Sequence, residues 1–499
     1  MNVVIRADSS EHIGSGHIMR CLVLARELRE QGMCVKFACL PLCGNLIHYI
    51  ESEGFAVVKL TAPNSIITPK SDKDYLGWLQ RTPEEDARDF LNKIDSANLV
   101  VTDHYAIQRE WQSLVKRKLS CPIFAIDDLL REHDADLLLD QTLGRKPSDY
   151  PAVHRVLAGT EFALLAPYFK VARQAAYSRR RADGRTRILV SMGGVDNPNA
   201  TLHVLEVIAK RDDFEILVLL SPRAPHYSSV KSFCAQHSSI SHLDFVTNMA
   251  ELMLRYDIAI GAPGTTTWER AALGLPSVLV PLADNQSEIA NQLAKSHAAI
   301  CVSIDALVND LLDSIDCLNN DWQSYVARNL NLCDGLGVYR VTSQVMQLLK
   351  PDKSSVFLRR ATKEDVNQVY TWQCHPNTRK YALNKSVPTY AEHCDWINRK
   401  LQSVVDYFYL IVDDKQRDVG VVRLDLQDSG HYLVSIFVDP KFYGHGIALT
   451  ALKQVDFIHG YMCIEATVLE ENVASHRLFN KAGYTKLNSE KYVRLPLEQ

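Results

Sequence analysis

The sequence predicts an α/β protein of three units: two doubly wound lobes with parallel sheets, then a smaller α/β domain. Three observations carry this. A short apolar run, Val3-Val4-Ile5, passes through a glycine-bearing loop into apolar residues at helical spacing, Ile18, Leu22, Ala25 and Leu28, with Gly32 where a helix should stop. The same strand, glycine turn and helix pattern restarts at Ile188. After the polar break Pro351-Asp352-Lys353-Ser354-Ser355 a new strand pattern opens at Val356. At 499 residues the chain exceeds what one hydrophobic core usually serves. The expected organisation is a first lobe over 1–168, a linker over 169–187, a second lobe over 188–350, a linker over 351–355 and a third domain over 356–499.

In the first lobe the loop before the first helix carries Gly14 and Gly16, which permit positive φ and close backbone approach, so amides and the helix N-terminus can face a polar ligand. His17 stands at its end. For an arbitrary histidine, hydrogen bonding to loop neighbours is the commoner role. Strands follow over Val35–Leu40, Asn98–Asp103 and Pro122–Ile126, with a short helix over Leu46–Gly54. Two of them end in acidic residues, Asp103-His104-Tyr105 and Asp127-Asp128. A helix N-cap is the expected role for Asp127 and Asp128, and an even choice for Asp103. The basic stretch Lys170–Arg187, with Arg179-Arg180-Arg181, reads as a solvated linker.

The second lobe opens with Ile188–Ser191, then Met192-Gly193-Gly194-Val195-Asp196 turning into a helix near Asn199. Strands near Ile216–Leu220 and Asp257–Ile260 follow. The second of these leads into Gly264-Thr265-Thr266-Thr267-Trp268-Glu269, whose amides and hydroxyls suit a diphosphate at a helix N-terminus; a plain helix cap fits the composition equally. Asn248 precedes a helix; reaching into the cleft and capping the helix both fit it, the cap at least as well.

The run Arg6-Ala7-Asp8-Ser9-Ser10 with Ile13-Gly14-Ser15-Gly16-His17-Ile18-Met19-Arg20 and Phe37–Leu42 resembles the PseG family, the UDP-sugar hydrolases of pseudaminic acid biosynthesis. Gly-Thr-Thr-Thr-x-Glu, with Gly274–Ser277 and Pro281–Gln286, is similar to the nucleotide-sugar site of MurG-like proteins. The resemblance implies two Rossmann-like lobes of the GT-B, MurG-like kind and a UDP-sugar in the cleft. It implies that His17 activates water at the anomeric carbon and that Asp103, His104 and Tyr105 line the pocket. In that reading Gly193, Gly194, Gly264, Thr265, Thr266 and Thr267 hold phosphates, Glu269 holds the ribose and Gln286 contacts sugar or phosphate. No metal is needed. Where the family has Asn-Gln-Asn this chain has Asp140-Gln141-Thr142. Trp268 is assigned no role.

In the third domain Tyr407–Val412 and Val419–Leu424 read as adjacent strands, and Val434–Val438 as a third running into Asp439-Pro440. Tyr443-Gly444-His445-Gly446-Ile447-Ala448 then opens a helix through Leu449, Leu452 and Val455. With Glu471–Tyr484 as closing motif, the arrangement resembles the GNAT acetyltransferases and implies acetyl-CoA as co-substrate. Its pyrophosphate would rest on the Tyr443–Ala448 loop, and its pantetheine arm on the backbone of Ile436, Phe437 and Val438, with Asn472 on the CoA side. Where relatives place a tyrosine acid this chain has Phe479, which leaves Tyr484 as a candidate acid; Glu465 is the candidate base, acting through water, with a plain surface carboxylate as the alternative. His375–Tyr381, Glu392, His393 and Trp396 resemble the substrate side of the PseH acetyltransferases, whose acceptor is the 4-amino group of a UDP-linked amino-sugar. His393 and Trp396 also fit a core at helical spacing.

Composition adds exclusions. Apolar residues make up 46% and charged residues 23%, which excludes a mostly disordered chain, and the formal net charge of -4 gives no sign of nucleic-acid binding. The 12 cysteines show no Cys-x-x-Cys pair and read as reduced core residues. The N-terminus runs straight into a strand and no apolar stretch reaches membrane-spanning length, so a cytoplasmic protein without a membrane partner is expected. The alternatives are a MurG-like glycosyltransferase, or a non-catalytic nucleotide-sugar binding module, joined to an acetyltransferase.

Overall fold

Strand β1 (Asn2–Ala7) is buried on both faces after its first residue, which a parallel strand covered by helices requires. It is flanked by β2 (Cys34–Cys39), β3 (Ala56–Lys59), β4 (Leu99–Asp103), β5 (Ile123–Ile126), β6 (Leu137–Asp140) and β7 (Val156–Ala158). All pair in parallel, in the order β3-β2-β1-β4-β5-β6-β7. The computed structural model describes residues 1–71, 73–181, 184–350 and 355–497. One core on this sheet gathers Val4, Leu40, Leu79, Phe90, Val100 and Trp111. Arg6 lies inside it, held by Asp86 at 2.8 and 3.0 Å and by Asp8 at 2.7 Å. A guanidinium so buried persists only because two carboxylates satisfy it.

The second sheet contains β8 (Thr186–Ser191), β9 (Phe214–Leu219), β10 (Ile240–Leu243), β11 (Ile258–Gly261), β12 (Ser277–Leu279) and β13 (Ala299–Cys301). It is again parallel, ordered β10-β9-β8-β11-β12-β13. Its core includes Ile188, Val190, Phe214, Ile260 and Leu311. Trp268 is fully buried and is a packing residue.

The segment expected as a solvated linker over 169–187 is instead anchored. Tyr168–Tyr177 is a helix, and its buried Arg173 donates to the carbonyls of Ala272, Cys333 and Leu330 at 2.8, 2.7 and 2.6 Å. Arg179 donates to the Leu273 and Met253 carbonyls at 3.2 and 3.0 Å, and burial lowers its pKa to about 10. The polar pattern misled because these cations neutralise helix C-terminal carbonyls rather than face water. The chain also returns to the first lobe. Arg340 donates to the Glu161 carbonyl at 2.7 Å, Lys170 to the Tyr339 hydroxyl at 3.0 Å, and a Cβ on Gly337 would meet Ala163 backbone at 2.3 Å.

Met1–Thr342 forms one compact unit and Ser343–Gln499 another. The division falls within the helix Gly337–Leu349; the expected linker 351–355 lies, except for Ser355, outside the described residues. The C-terminal unit carries β14 (Val356–Arg360), β15 (Tyr407–Asp413), β16 (Asp418–Leu426), β17 (Tyr432–Val438), β18 (Ile464–Thr467), β19 (Thr485–Lys486) and β20 (Lys491–Arg494). The order is β14-β15-β16-β17-β18-β20-β19, antiparallel except between β17 and β18.

The cysteines do not all fill cores: Cys34, Cys43, Cys301 and Cys317 are exposed. Among the described residues no helix is long and apolar enough to cross a membrane, and no group of three or more His, Cys, Asp or Glu could hold a metal.

Candidate functional site

The sequence Asp8-Ser9-Ser10 builds a scaffold for the loop that follows it. Asp8 Oδ1 accepts from the Leu40 amide at 2.7 Å, Ser9 Oγ from Leu46 at 2.8 Å, and Ser10 Oγ from His12 and Ile13 at 3.2 and 3.1 Å. Gly14 takes φ of 76°, turning the chain into the helix Gly16–Glu30. His17 thereby comes off the C-terminal end of β1 beside β4, where the strand order reverses and open α/β sheets bind ligands.

There His17 meets Asp103. His17 Nδ1 stands 2.6 Å from Asp103 Oδ1, and Arg20 donates to Oδ2 through Nε at 2.7 Å and to Oδ1 through Nη2 at 2.6 Å. Burial opposes ionisation of Asp103, but the charges and hydrogen bonds of Arg20 and His17 outweigh it and hold the carboxyl well below the usual range. An ionised Asp103 only accepts, so His17 carries its proton on Nδ1 and turns the Nε2 lone pair outward. Arg20 spans on to Asp128 at 3.0 Å. Tyr105 packs edge-on to His17 with centroids 4.7 Å apart, and Tyr75 and Trp78 pack on Tyr105 in turn. His104 is buried behind this layer; its Nδ1 accepts from the Ala106 amide at 3.0 Å, and burial lowers its pKa to about 3.

Neither Asp127 nor Asp128 is an N-cap, because no helix follows β5. Asp127 instead collects Arg131, Tyr150 and the Leu129 and Arg131 amides, and Asp128 joins Arg20. The chain after β5 runs irregularly to β6, and the carboxylates satisfy that backbone and the guanidiniums crossing it. Asp103 likewise faces His17 and Arg20 rather than a helix end. Asp140 and Gln141 are buried and used locally, Asp140 by Arg145, Tyr150 and the Thr142 amide, Gln141 by the Leu164 amide.

Across the cleft the second lobe presents the loops after β8 and β11, again at the point where strand order reverses. Gly193 has φ of 93°, and a Cβ on Gly194 would lie 3.0 Å from Ser15 Oγ, so the glycine turn of one lobe abuts the loop before His17. Asp196 caps the next helix by accepting from Ala200 and Thr201 at 2.8 and 2.9 Å. Gly264 precedes the helix Thr265–Ala272, and its amide donates to Thr267 Oγ1 at 3.1 Å, so the Thr267 hydroxyl is partly committed to the cap. Thr265 and Thr266 lie half-buried in the first turn. Glu269 is half-buried; burial pushes its pKa up to about 7 against the pull of Arg270. The Gln286 Oε1 is occupied by the Leu282 amide at 2.8 Å, which leaves only its Nε2 for a ligand. Asn248 is a cap, accepting from Glu251 at 3.1 Å.

In the C-terminal unit β17 and β18 pair only at Tyr432↔Ile464 and Leu433↔Glu465, then part. Ile436, Phe437 and Val438 remain paired with β16 on one edge and have no strand partner on the other among the described residues. Gly444 and Gly446 take φ of 81° and 77°, and the helix Ile447–His459 starts behind them with its first amides free for an anion. A Cβ on Gly444 would meet nothing within 4 Å, so the loop stands open to a ligand as acetyl-CoA requires. Tyr443 and His445 are exposed beside it, and His445 Nδ1 faces the Tyr443 carbonyl at 3.0 Å. Asn472 caps Val473–Lys481, its Oδ1 accepting from Ser475 at 3.1 Å, so that oxygen is committed to the cap. Tyr484 is buried against Phe479, with its hydroxyl near Asp456 and Arg494; burial and Asp456 raise its pKa, which does not suit a proton donor in a solvent-open cleft. Phe479 is itself buried and stacks on Tyr492. His393 is buried, bonded to Gln373 and the Val366 carbonyl, and Trp396 packs on the core.

Sequence reasoning missed Arg20, Asp128, Tyr75 and Trp78. Arg20 carried a signal, since i and i+3 on a helix share a face and His17 was already marked. Tyr75 and Trp78 both lie in the short helix Tyr75–Leu79, which carries no motif.

Two parallel-sheet lobes, followed by a mixed sheet with one parting strand pair, define a GT-B, MurG-like fold joined to a GNAT-like domain. Comparison with known proteins agrees. Residues 194–332 match the glycosyltransferase family 28 C-terminal domain and residues 355–485 the acetyltransferase (GNAT) domain. The chain is a homologue of the UDP-2,4-diacetamido-2,4,6-trideoxy-beta-L-altropyranose hydrolase of Campylobacter jejuni, 28% identical over 59% of this chain and 97% of the relative. It is 24% identical, over 97% of both chains, to an uncharacterized protein of Methanocaldococcus jannaschii. The fold is similar to MurG of Acinetobacter baumannii (TM-score 0.50, 16% identity, 69% of this chain and 99% of that one) and to the calicheamicin glycosyltransferase CalG4 (TM-score 0.51, 13% identity, 70% and 98%).

Proposed function

We propose that the chain performs two steps on one UDP-linked sugar. The C-terminal unit N-acetylates the 4-amino group of a UDP-4-amino-4,6-dideoxy-N-acetyl-altrosamine with acetyl-CoA. The N-terminal unit then hydrolyses UDP-2,4-diacetamido-2,4,6-trideoxy-beta-L-altropyranose and releases UDP. The observation that carries the hydrolytic step is the Asp103–His17 pair, 2.6 Å apart, behind the loop that the Gly193-Gly194 turn of the second lobe abuts. His17 Nε2 takes a proton from water as its oxygen attacks the anomeric carbon. The carbon–oxygen bond breaks toward the diphosphate, whose growing charge the amides around Gly264–Thr266 receive. Gly14, Gly16 and Tyr105 shape the sugar side, with His104 buried behind them rather than lining it; Gly193, Gly194 and Thr267 line the phosphate side; Glu269 and Gln286 hold ribose and sugar. No metal enters this scheme, and the setting is cytoplasmic.

In the C-terminal unit acetyl-CoA supplies the activated acetyl group. The Tyr443–Ala448 loop holds its pyrophosphate and the free edge of Ile436–Val438 its pantetheine arm, with Asn472 beside them.

The test incubates the protein with the UDP-linked 4-amino sugar, with and without acetyl-CoA, and follows both products by mass spectrometry. Acetylation followed by UDP release is expected. Acetylation with UDP retained refutes the hydrolase assignment and points to a transferase or a binding module.

A further inference from the structure

The parting strands of the C-terminal unit place an unassigned histidine against Glu465. His431 immediately precedes β17, and its Nδ1 stands 2.7 Å from Glu465 Oε1. Glu465 occupies the last paired position of β17 and β18, Leu433↔Glu465, so the two side chains sit at the apex from which the strands open. Laterally paired residues share a sheet face. Glu465 therefore lies on the face of Leu433 and of its β16 partner Asp425. In the next row along the same face Arg423 pairs with Ser435, and its guanidinium lies 4.8 Å from the Trp396 ring. The apex is thus a polar corner beside an aromatic wall. It is open to solvent, with the side chains of His431 and Glu465 42% and 32% exposed. The charged groups around it are Glu465 itself and Asp425 with its partners Lys400 and Arg423, both at 2.7 Å; the Cys463 thiol just before β18 is pushed up by burial and Glu465.

A carboxylate on one ring nitrogen fixes the tautomer, as Asp103 does for His17. Nδ1 keeps the proton and Nε2 presents a lone pair. We infer that His431 is the general base of the acetyl transfer and Glu465 the residue that positions it. This rests on the acetyltransferase reading above and moves the base from Glu465 to its partner. The acceptor ammonium gives one proton to His431 Nε2, directly or through one water. The freed nitrogen pair attacks the thioester carbonyl carbon, forming the C–N bond. The C–S bond then breaks with its electron pair on sulfur, which takes a second proton from the same nitrogen. The products are the amide, the free thiol and one proton that His431 returns to solvent. Because the sulfur is protonated from nitrogen, the buried Phe479 in place of a hydroxyl is no obstacle.

The test uses the intact chain with acetyl-CoA and the UDP-linked 4-amino sugar, following thiol release across pH. His431→Ala should lower kcat about 100-fold with the acetyl-CoA KM unchanged, lose the acidic limb of the pH–rate profile, and recover on adding imidazole. Glu465→Gln should lose less and remain pH-dependent. Undiminished turnover by His431→Ala, or a loss that imidazole does not restore and that comes with a raised acetyl-CoA KM, overturns the assignment. An inactive Glu465→Gln beside an active His431→Ala returns the base to Glu465. No acetylation by the unmodified chain overturns the acetyltransferase reading and this inference together.

Discussion

Replacing Asp103 by Asn tests the hydrolytic geometry with the smallest change of shape. Asp103 accepts from His17 Nδ1 and twice from Arg20, all within 2.7 Å, and also from Cys21 Sγ at 3.4 Å. An asparagine offers one acceptor oxygen. If that oxygen stays on Arg20, the new amide faces His17 Nδ1, which must become an acceptor and move its proton to Nε2, where no lone pair then remains for water. If the oxygen turns to His17, the amide confronts Arg20. Loss of a general base lowers rates by roughly 10²–10⁴-fold, equivalent to about 3–5 kcal/mol of transition-state stabilisation. Substrate contacts are untouched, so the loss belongs in kcat rather than KM. Arg20 retains Asp128 at 3.0 Å, so the fold should lose only about 1–3 kcal/mol. The assay is UDP release under saturating substrate beside a His17→Ala control. An Asp103→Asn protein within a few-fold of the unmodified rate, while His17→Ala is inactive, would refute the tautomer argument.

Three further outcomes are expected. Glu269, with its pKa raised to about 7, keeps its proton in the folded state after an unfolded glutamate has ionised, so stability falls as pH rises from about 4.5 to 7. Over pH 6 to 8 the ionised acceptor form grows about tenfold, and UDP-sugar affinity by titration calorimetry should rise with it, but stay flat in Glu269→Gln. Gly446→Ala forces a side chain at φ of 77° and should raise the acetyl-CoA KM at least ~10-fold, corresponding to about 1–2 kcal/mol of strain, without changing UDP release from pre-acetylated substrate. Asp86→Ala strips Arg6 of its bidentate partner and leaves the Trp111 indole, now 2.9 Å from Asp86, unpaired; denaturant unfolding of the N-terminal unit should show a loss of about 3–5 kcal/mol.

The strands and the glycine turns were legible because both are local. Val3–Ile5, Ile188–Ser191 and Gly444–Gly446 state their conformation in a few residues, and the structure gives β1, β8 and a left-handed glycine pair at those places. What the chain builds from distant residues was not legible. Asp128 looked like a cap, and Asp103 divided evenly between cap and site, because the residue type favours caps; their partner Arg20 lies 83 and 108 positions from Asp103 and Asp128. Arg173 and Arg179 looked solvated because nothing local announces the carbonyls of residues 253–333 that receive them. His431 and Glu465, 34 positions apart, meet only through strand pairing.

The joint between the lobes also sets how the N-terminal unit can move. At one end the lobes are fastened twice, by the helix Tyr168–Tyr177 with its buried Arg173 and by the returning chain at Gly337–Arg340, where a Cβ has no room. At the mouth of the cleft the ties differ in kind. Lys73, two residues before Tyr75, meets Asp284 at 2.8 Å with both side chains more than half exposed, and Arg223 reaches the Gly44 carbonyl. Such exposed pairs are worth about 0–1 kcal/mol each and weaken in salt. The compliance of the molecule is therefore lopsided, stiff at the axle and soft at the rim. Added electrolyte should weaken these two ties and leave the buried ones at Arg173 and Gly337 unchanged. If the proposed hydrolysis holds, release of its nucleotide should depend on ionic strength through the Lys73–Asp284 pair while the cleavage step at His17 does not.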